Sequence, residues 1–164
     1  MMLVSWAMIP TTVHRRRAFV FALFAGALTA GRAAESTFAK LPTPQPRSAP
    51  LDSQAPTEKA YRKDAGAHFY SAYPAQVYYG KLPPLLYAIA VTETEVDAQG
   101  AVLNVRIKRA PAGAKHVGPW VVDLIRRAAP LPPPVRMGRV RFIEIWLVDR
   151  SGRFQVDSLT EGQL

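Results

Sequence analysis

The chain has 164 residues, 21 of them basic and 12 acidic, for a formal charge of +9, and it contains no cysteine. That length suits one modest domain with extensions. The lack of cysteine excludes disulfides, thiolate nucleophiles and Cys-ligated metals together.

The position of the charge decides its meaning. Arg15, Arg16, Arg17 and Arg32 all lie before Glu35, with no acidic residue beside them. A 14-residue apolar run, 18–31, follows the arginine triplet. Gly31-Arg32-Ala33 then puts small residues where a signal peptidase reads them. Residues 1–34 are therefore expected to be an export signal, cleaved after Ala33 or Ala34. The alternative is an uncleaved anchor, although a spanning helix needs roughly 20 apolar residues. Arg16-Arg17-Ala18-Phe19-Val20 also fits a twin-arginine signal. Setting the four arginines aside leaves a moderately basic exported chain with no access to nucleic acid, so no nucleic-acid partner is expected. Membrane contact is expected only through the signal segment.

Residues 35–56 carry Pro42, Pro44, Pro46, Pro50 and Pro56 among small and polar residues. Proline removes backbone donors and biases its neighbours towards extended structure. The expectation is a semi-stiff linker, on the order of 60–70 Å long if fully extended, or else a disordered tail. Residues 57–164 then form the folded domain.

The spacing of Tyr61, Ala65, Phe69 and Tyr73 predicts a helix over 57–73, with Thr57 or Ser53 as its cap and Pro74 as its limit. Gly66 weakens that helix. A proline-interrupted connection, 77–85, leads to a strand over 87–96, with Ile89 and Val91 on one face. Asp97-Ala98-Gln99-Gly100 supplies a turn opener and a glycine for a positive φ. Leu103, Val105 and Ile107 then alternate with Asn104, Arg106 and Lys108, the period of a half-buried strand. The next helix is predicted over 117–129, with Gly118 as cap, Pro119 at the first position and a buried stripe of Trp120, Val121, Leu124, Ile125 and Ala128. Residues 130–134 are rich in proline and end it. Val140–Val148 is the last strong strand, and 153–156 folds back as a short fourth.

Reaction chemistry finds no purchase in this pattern. His14 lies in the signal, and His68 and His116 lack a second ligand at metal spacing, which makes each a surface or helix-end residue. Glu93 and Glu95 share a strand face beside a turn, where solvated carboxylates are the simpler reading. No strained Gly-x-Ser-x-Gly turn and no phosphate-cradling glycine loop occurs. No catalytic residue, cofactor or metal ligand is assigned, and the chain reads as non-enzymatic. Arg126, Arg127, Arg136, Arg139 and Arg141 form a basic cluster suited to acidic partners or to plain solvation.

Tyr73-Pro74-Ala75, then a strand, Asp97-x-x-Gly100, a second strand, a helix, a proline-rich break and a final strand resemble the C-terminal domain of TonB and TolA-type proteins. The resemblance covers roughly 73–150. It implies an α+β domain: a small antiparallel sheet of three to four strands with helices packed on it. It also implies a periplasmic location and binding of an envelope or outer-membrane protein by strand addition. A membrane-anchored energy transducer for outer-membrane transport is one alternative. A small periplasmic ligand-binding protein or enzyme using tyrosines around 73–87 is another. The final strand is the candidate edge, with Arg139, Arg141, Phe142, Ile143, Ile145 and Trp146 as partner-binding residues. Phe142 and Trp146 share one face, and Ile143, Ile145 and Leu147 the other. Two readings account for a strand apolar on both sides: self-association, or cover from a fourth strand or the N-terminal helix.

Overall fold

A computed structural model describes residues 38, 40–45 and 49–164. The predicted export signal, 1–34, lies outside the described residues. Two helices, α1 (Glu58–Ala72) and α2 (Val117–Arg127), cover one face of a four-stranded antiparallel sheet. The strands are β1 (Ala88–Val96), β2 (Val102–Arg109), β3 (Val140–Val148) and β4 (Phe154–Val156), in the spatial order β2-β1-β3-β4. This is the small α+β architecture that the sequence pattern predicts.

Helix α1 begins where Thr57 Oγ1 accepts the Ala60 N–H at 3.3 Å. Its stripe of Tyr61, Ala65 and Phe69 is fully buried. Tyr61 meets Phe142 and Phe69 meets Trp146, with ring centroids 5.4 and 5.1 Å apart. Gly66 sits inside the helix because a side chain there would press on Val156, Ser158 and Leu159 at 3.0 Å. The helix therefore gives up some propensity for a close approach to the chain after β4.

Helix α2 starts at Val117, the first residue of the expected range, and its cap is His116, two residues before the expected Gly118. Gly118 is instead buried in the first turn against Ile107, where a Cβ would lie 3.0 Å from the isoleucine Cδ1. The predicted stripe of Trp120, Val121, Leu124, Ile125 and Ala128 is buried. The two helices are tied together by Tyr73, whose hydroxyl donates to the Leu124 carbonyl at 2.9 Å. His68 Nε2–H donates to the Ala128 carbonyl at 2.8 Å and is buried, so it is not the surface residue expected.

The β1–β2 turn is built as its residues predict. Asp97 Oδ1 accepts the N–H groups of Gln99 and Ala101 at 2.9 and 2.8 Å, and Gly100 takes φ +85°. The segment 35–56 departs from its expectation. Its described part lies along the domain instead of leading away from it. Phe38 is buried against Tyr87 and Trp120, Gln45 N–H donates to Ala72, and Ser53 bridges to Pro134. Proline favours extended chain, and extended chain can pair and dock as readily as it can span; a few apolar anchors suffice.

Burial lifts the Tyr61 hydroxyl above its ordinary titration range, helped by the negative charge of Asp64. Burial also raises Tyr70. An unfolded tyrosine ionises near pH ~10, whereas these two hold their protons higher when folded. Their contribution is complete below that pH and is lost as pH rises towards the folded values. Thermal melts should therefore drop steeply above about pH 10. Tyr61→Phe should flatten that decline. It should also cost about 1 kcal/mol at neutral pH, because the hydroxyl donates to the Pro132 carbonyl at 2.8 Å. An unchanged alkaline slope in the variant would contradict this assignment.

Candidate interaction surface

Among the described residues the sheet is covered on one side only. On the open side, Ile89 lies opposite Leu147, Val91 opposite Ile145, Glu93 opposite Ile143 and Glu95 opposite Arg141. A band of aliphatic side chains thus grades into charge towards the β1–β2 turn. Glu93 lies 3.9 Å from Arg106 and 3.7 Å from Lys108, while Glu95 lies 3.7 Å from Arg139 and 3.6 Å from Arg141. The cations are at least half exposed, so these pairs order the surface more than they stabilise it.

Strand β3 is not the outermost strand that the sequence reading expects. It lies between β1 and β4 and pairs with β1 along its whole length. Phe142 and Trp146 are fully buried beneath α1, and Trp146 Nε1–H donates to Thr92 Oγ1 at 3.1 Å. Neither is placed to touch a partner. Alternation puts these aromatic residues on the covered face and Arg141, Ile143 and Ile145 on the open face. Of the two readings of its two-sided apolarity, the helix covers the face that already holds the aromatics, and Ile143 is left 41 % exposed.

Half of the expected edge nonetheless exists. Along β3, strand β4 reaches only Trp146, Leu147 and Val148. The Asp149 N–H donates to the Arg153 carbonyl at 2.8 Å, which fixes the odd-numbered residues as those facing β4. By the same alternation, Ile145, Ile143 and Arg141 present their backbone groups outward, beyond the end of β4. Ile145 N–H is taken by Glu144 Oε1 at 3.0 Å. Arg141 and Ile143 have no strand beside them among the described residues. The free ladder is short, flanked by Arg139 and Arg141, and adjoins the aliphatic band.

Glu144 ends this edge on one side. Its carboxylate is buried and accepts from Arg62 at 2.9 Å, Ser158 Oγ at 2.7 Å and Ser158 N at 3.3 Å. Burial tends to lower the Arg62 pKa, but its hydrogen bonds to Glu144 and Asp157 outweigh this and raise it. Glu144 was not singled out from the sequence; a lone carboxylate among Phe142, Ile143, Ile145 and Trp146 was the available signal.

The rest of β4 is closed off. Tyr78 N–H donates to the Phe154 carbonyl at 2.9 Å. The buried Gln155 side chain donates to the carbonyls of Tyr78 and Gly80, both at 2.7 Å. Strand β2 is the other border of the sheet, and Arg106, Lys108 and Arg109 line it, a common guard against indiscriminate pairing. Tyr78 and Tyr79 lie on the β4 side while Glu93 faces β2, so the three do not converge on one pocket. Among the described residues no cluster of His, Asp and Glu is arranged to hold a metal, and no helix is long and apolar enough to cross a membrane.

No family model, no curated protein and no solved structure matches this chain.

Proposed function

We propose that this is an exported, non-enzymatic protein-interaction domain of the cell envelope, of the TonB/TolA C-terminal type, that binds a partner by strand addition. The observation that carries the reading is the free backbone of Arg141 and Ile143 on β3, where β4 stops short. The hairpin, helix and final-strand order of the α+β domain supports the same reading, as does the export pattern of the first 34 residues. An extended segment of an envelope or outer-membrane protein can continue β4 along β3. Main-chain hydrogen bonds then supply affinity, and side chains at alternate positions supply choice. Arg139 and Arg141 favour acidic residues in that segment, and Ile143 and Ile145 favour aliphatic ones.

Proline at position 143 tests this. The Ile143 N–H faces outward, so proline there removes the docking donor without breaking a bond to β1. A photo-crosslinker at Arg141, in cells, should give one discrete adduct with a second protein. Ile143→Pro should reduce that adduct at least about tenfold while the chain stays folded. Adducts only with the chain itself, or adducts indifferent to Ile143→Pro, would remove strand addition as the mode of binding.

A further inference from the structure

The open face of the sheet is a surface distinct from the backbone edge of β3. Register and alternation put Ile89 beside Leu147 and Val91 beside Ile145 at one end, with Glu93, Glu95 and Arg141 towards the other. The charge there is unequally presented. Glu93 and Glu95 are only 16 and 21 % exposed, whereas the cations around them, Arg106, Lys108, Arg139 and Arg141, are 50–65 % exposed. Four cations thus stand outside two mostly covered carboxylates, and the face is positive towards solvent. At the β4 border the Glu161 carboxylate accepts the Gly80 N–H at 3.2 Å. The aliphatic end lies close to where the chain enters the domain. Phe38 stacks on Tyr87 with ring centroids 5.6 Å apart, and Ile89 is two residues further on. Leu85, in the loop that leads into β1, is 88 % exposed. The apolar run 18–31 ends seven residues before Phe38, a span of at most about 25 Å. While that run sits in a membrane, as export signal or as anchor, the aliphatic end of the face is held near the lipid surface. This tether rests on the export reading; the charge pattern does not.

We propose that the open sheet face docks on an anionic lipid surface, with its aliphatic patch set among the headgroups and Arg106, Lys108, Arg139 and Arg141 on their phosphates. Binding of this kind grows with the apolar area buried and with attraction to anionic lipid, to which each cation adds. Long basic side chains suit it, because their stems lie along apolar surface while their heads reach outward. A second copy is the poorer occupant, since it brings the same exposed cations. A peptide has the β3 backbone to pair with, and the face offers it no further main-chain partners. Lipid docking uses side chains of the face and strand addition uses the backbone of the edge, so either can hold without the other.

The full chain reconstituted into vesicles tests the proposal, and its lack of cysteine lets a single thiol carry a probe. A fluorophore on Ile143→Cys reads the face, and one on Lys63→Cys reads the exposed side of α1. In vesicles of equal parts phosphatidylglycerol and phosphatidylcholine, nitroxide-labelled lipid should quench the probe at position 143 and leave the one at position 63 bright. In pure phosphatidylcholine neither should be quenched. Arg106→Gln, Arg139→Gln and Arg141→Gln together should lower the ratio of docked to free domain at least about tenfold. High salt should act in the same direction. The proposal is overturned by no quenching at position 143 on anionic vesicles, by equal quenching at both positions, by equal quenching in phosphatidylcholine, or by indifference to the three substitutions. Energy transfer between position-143 probes on two copies, without quenching by lipid, would assign the face to self-association and overturn it as well. Flotation with phosphatidylcholine vesicles reports on the apolar run separately. A chain that does not float there, yet is quenched at position 143 on anionic vesicles, loses the tether and keeps the docked face.

Discussion

Replacing Glu144 with alanine should destabilise the domain by about 3–5 kcal/mol, the usual cost of leaving half of a buried ion pair. The carboxylate is 1 % exposed and gathers Arg62, both the hydroxyl and the N–H of Ser158, and the Ile145 N–H. Its loss strands a partly buried guanidinium beside Asp157 and leaves the Ile145 donor without its acceptor. Arg62→Ala should be of similar size, because it leaves a carboxylate buried without its cation. The double variant should cost less than the sum of the two, since each single change already breaks the same contact. Urea midpoints at constant slope measure all three. Melting temperature should fall by some tens of degrees at most, given about 4–8 °C per kcal/mol in a domain near this size. Glu144→Gln should fall well short of the alanine effect, because it keeps acceptor geometry. A loss under about 1 kcal/mol in Glu144→Ala would mean that this network is no more than a surface pair.

Gly100→Ala is the second large effect, and its cause is different. Gly100 has φ +85°, and an added Cβ would fall 2.0 Å from the Leu131 carbonyl oxygen. That oxygen belongs to backbone, so no rotamer change relieves the overlap. The Gly100 carbonyl also accepts the Leu131 N–H at 2.8 Å, which docks the hairpin turn onto the chain after α2. The substitution should cost about 3 kcal/mol or more, combining left-handed strain with a forced separation. Gly138→Ala is the control. Gly138 has φ +69° and nothing within 4 Å of the built Cβ, so only the conformational cost of about 1–2 kcal/mol remains. Equal losses at the two glycines would show that the turn is not seated against Leu131.

Local pattern carried most of the fold. The fourfold spacing of Tyr61, Ala65 and Phe69 and the alternation through Phe142 and Trp146 each name a buried face, and burial follows both. The Asp97–Gly100 turn is legible because its chemistry lies within four residues. What pattern could not give was neighbourhood. Val140–Val148 has the composition of an interior strand, yet the sequence reading placed it at the border, because three residues of β4 carry too little signal to show that they shield only its end. Proline content likewise gave no sign that Phe38 has an aromatic pocket to enter. Of the residues expected to meet a partner, Arg139, Arg141, Ile143 and Ile145 lie on the open side. Phe142 and Trp146 hold the strand from beneath. The role of Glu144 rests on Arg62 and Ser158, which no spacing rule connects to it.

Residue-resolved amide exchange of the free domain tests the open half-edge most directly. The account predicts that Arg141 and Ile143 exchange orders of magnitude faster than Phe142 and Glu144, which face β1, and than Leu147, which faces β4. Protection at Arg141 and Ile143 equal to that of Leu147 would show the edge to be already paired, and strand addition at β3 would have no place to begin.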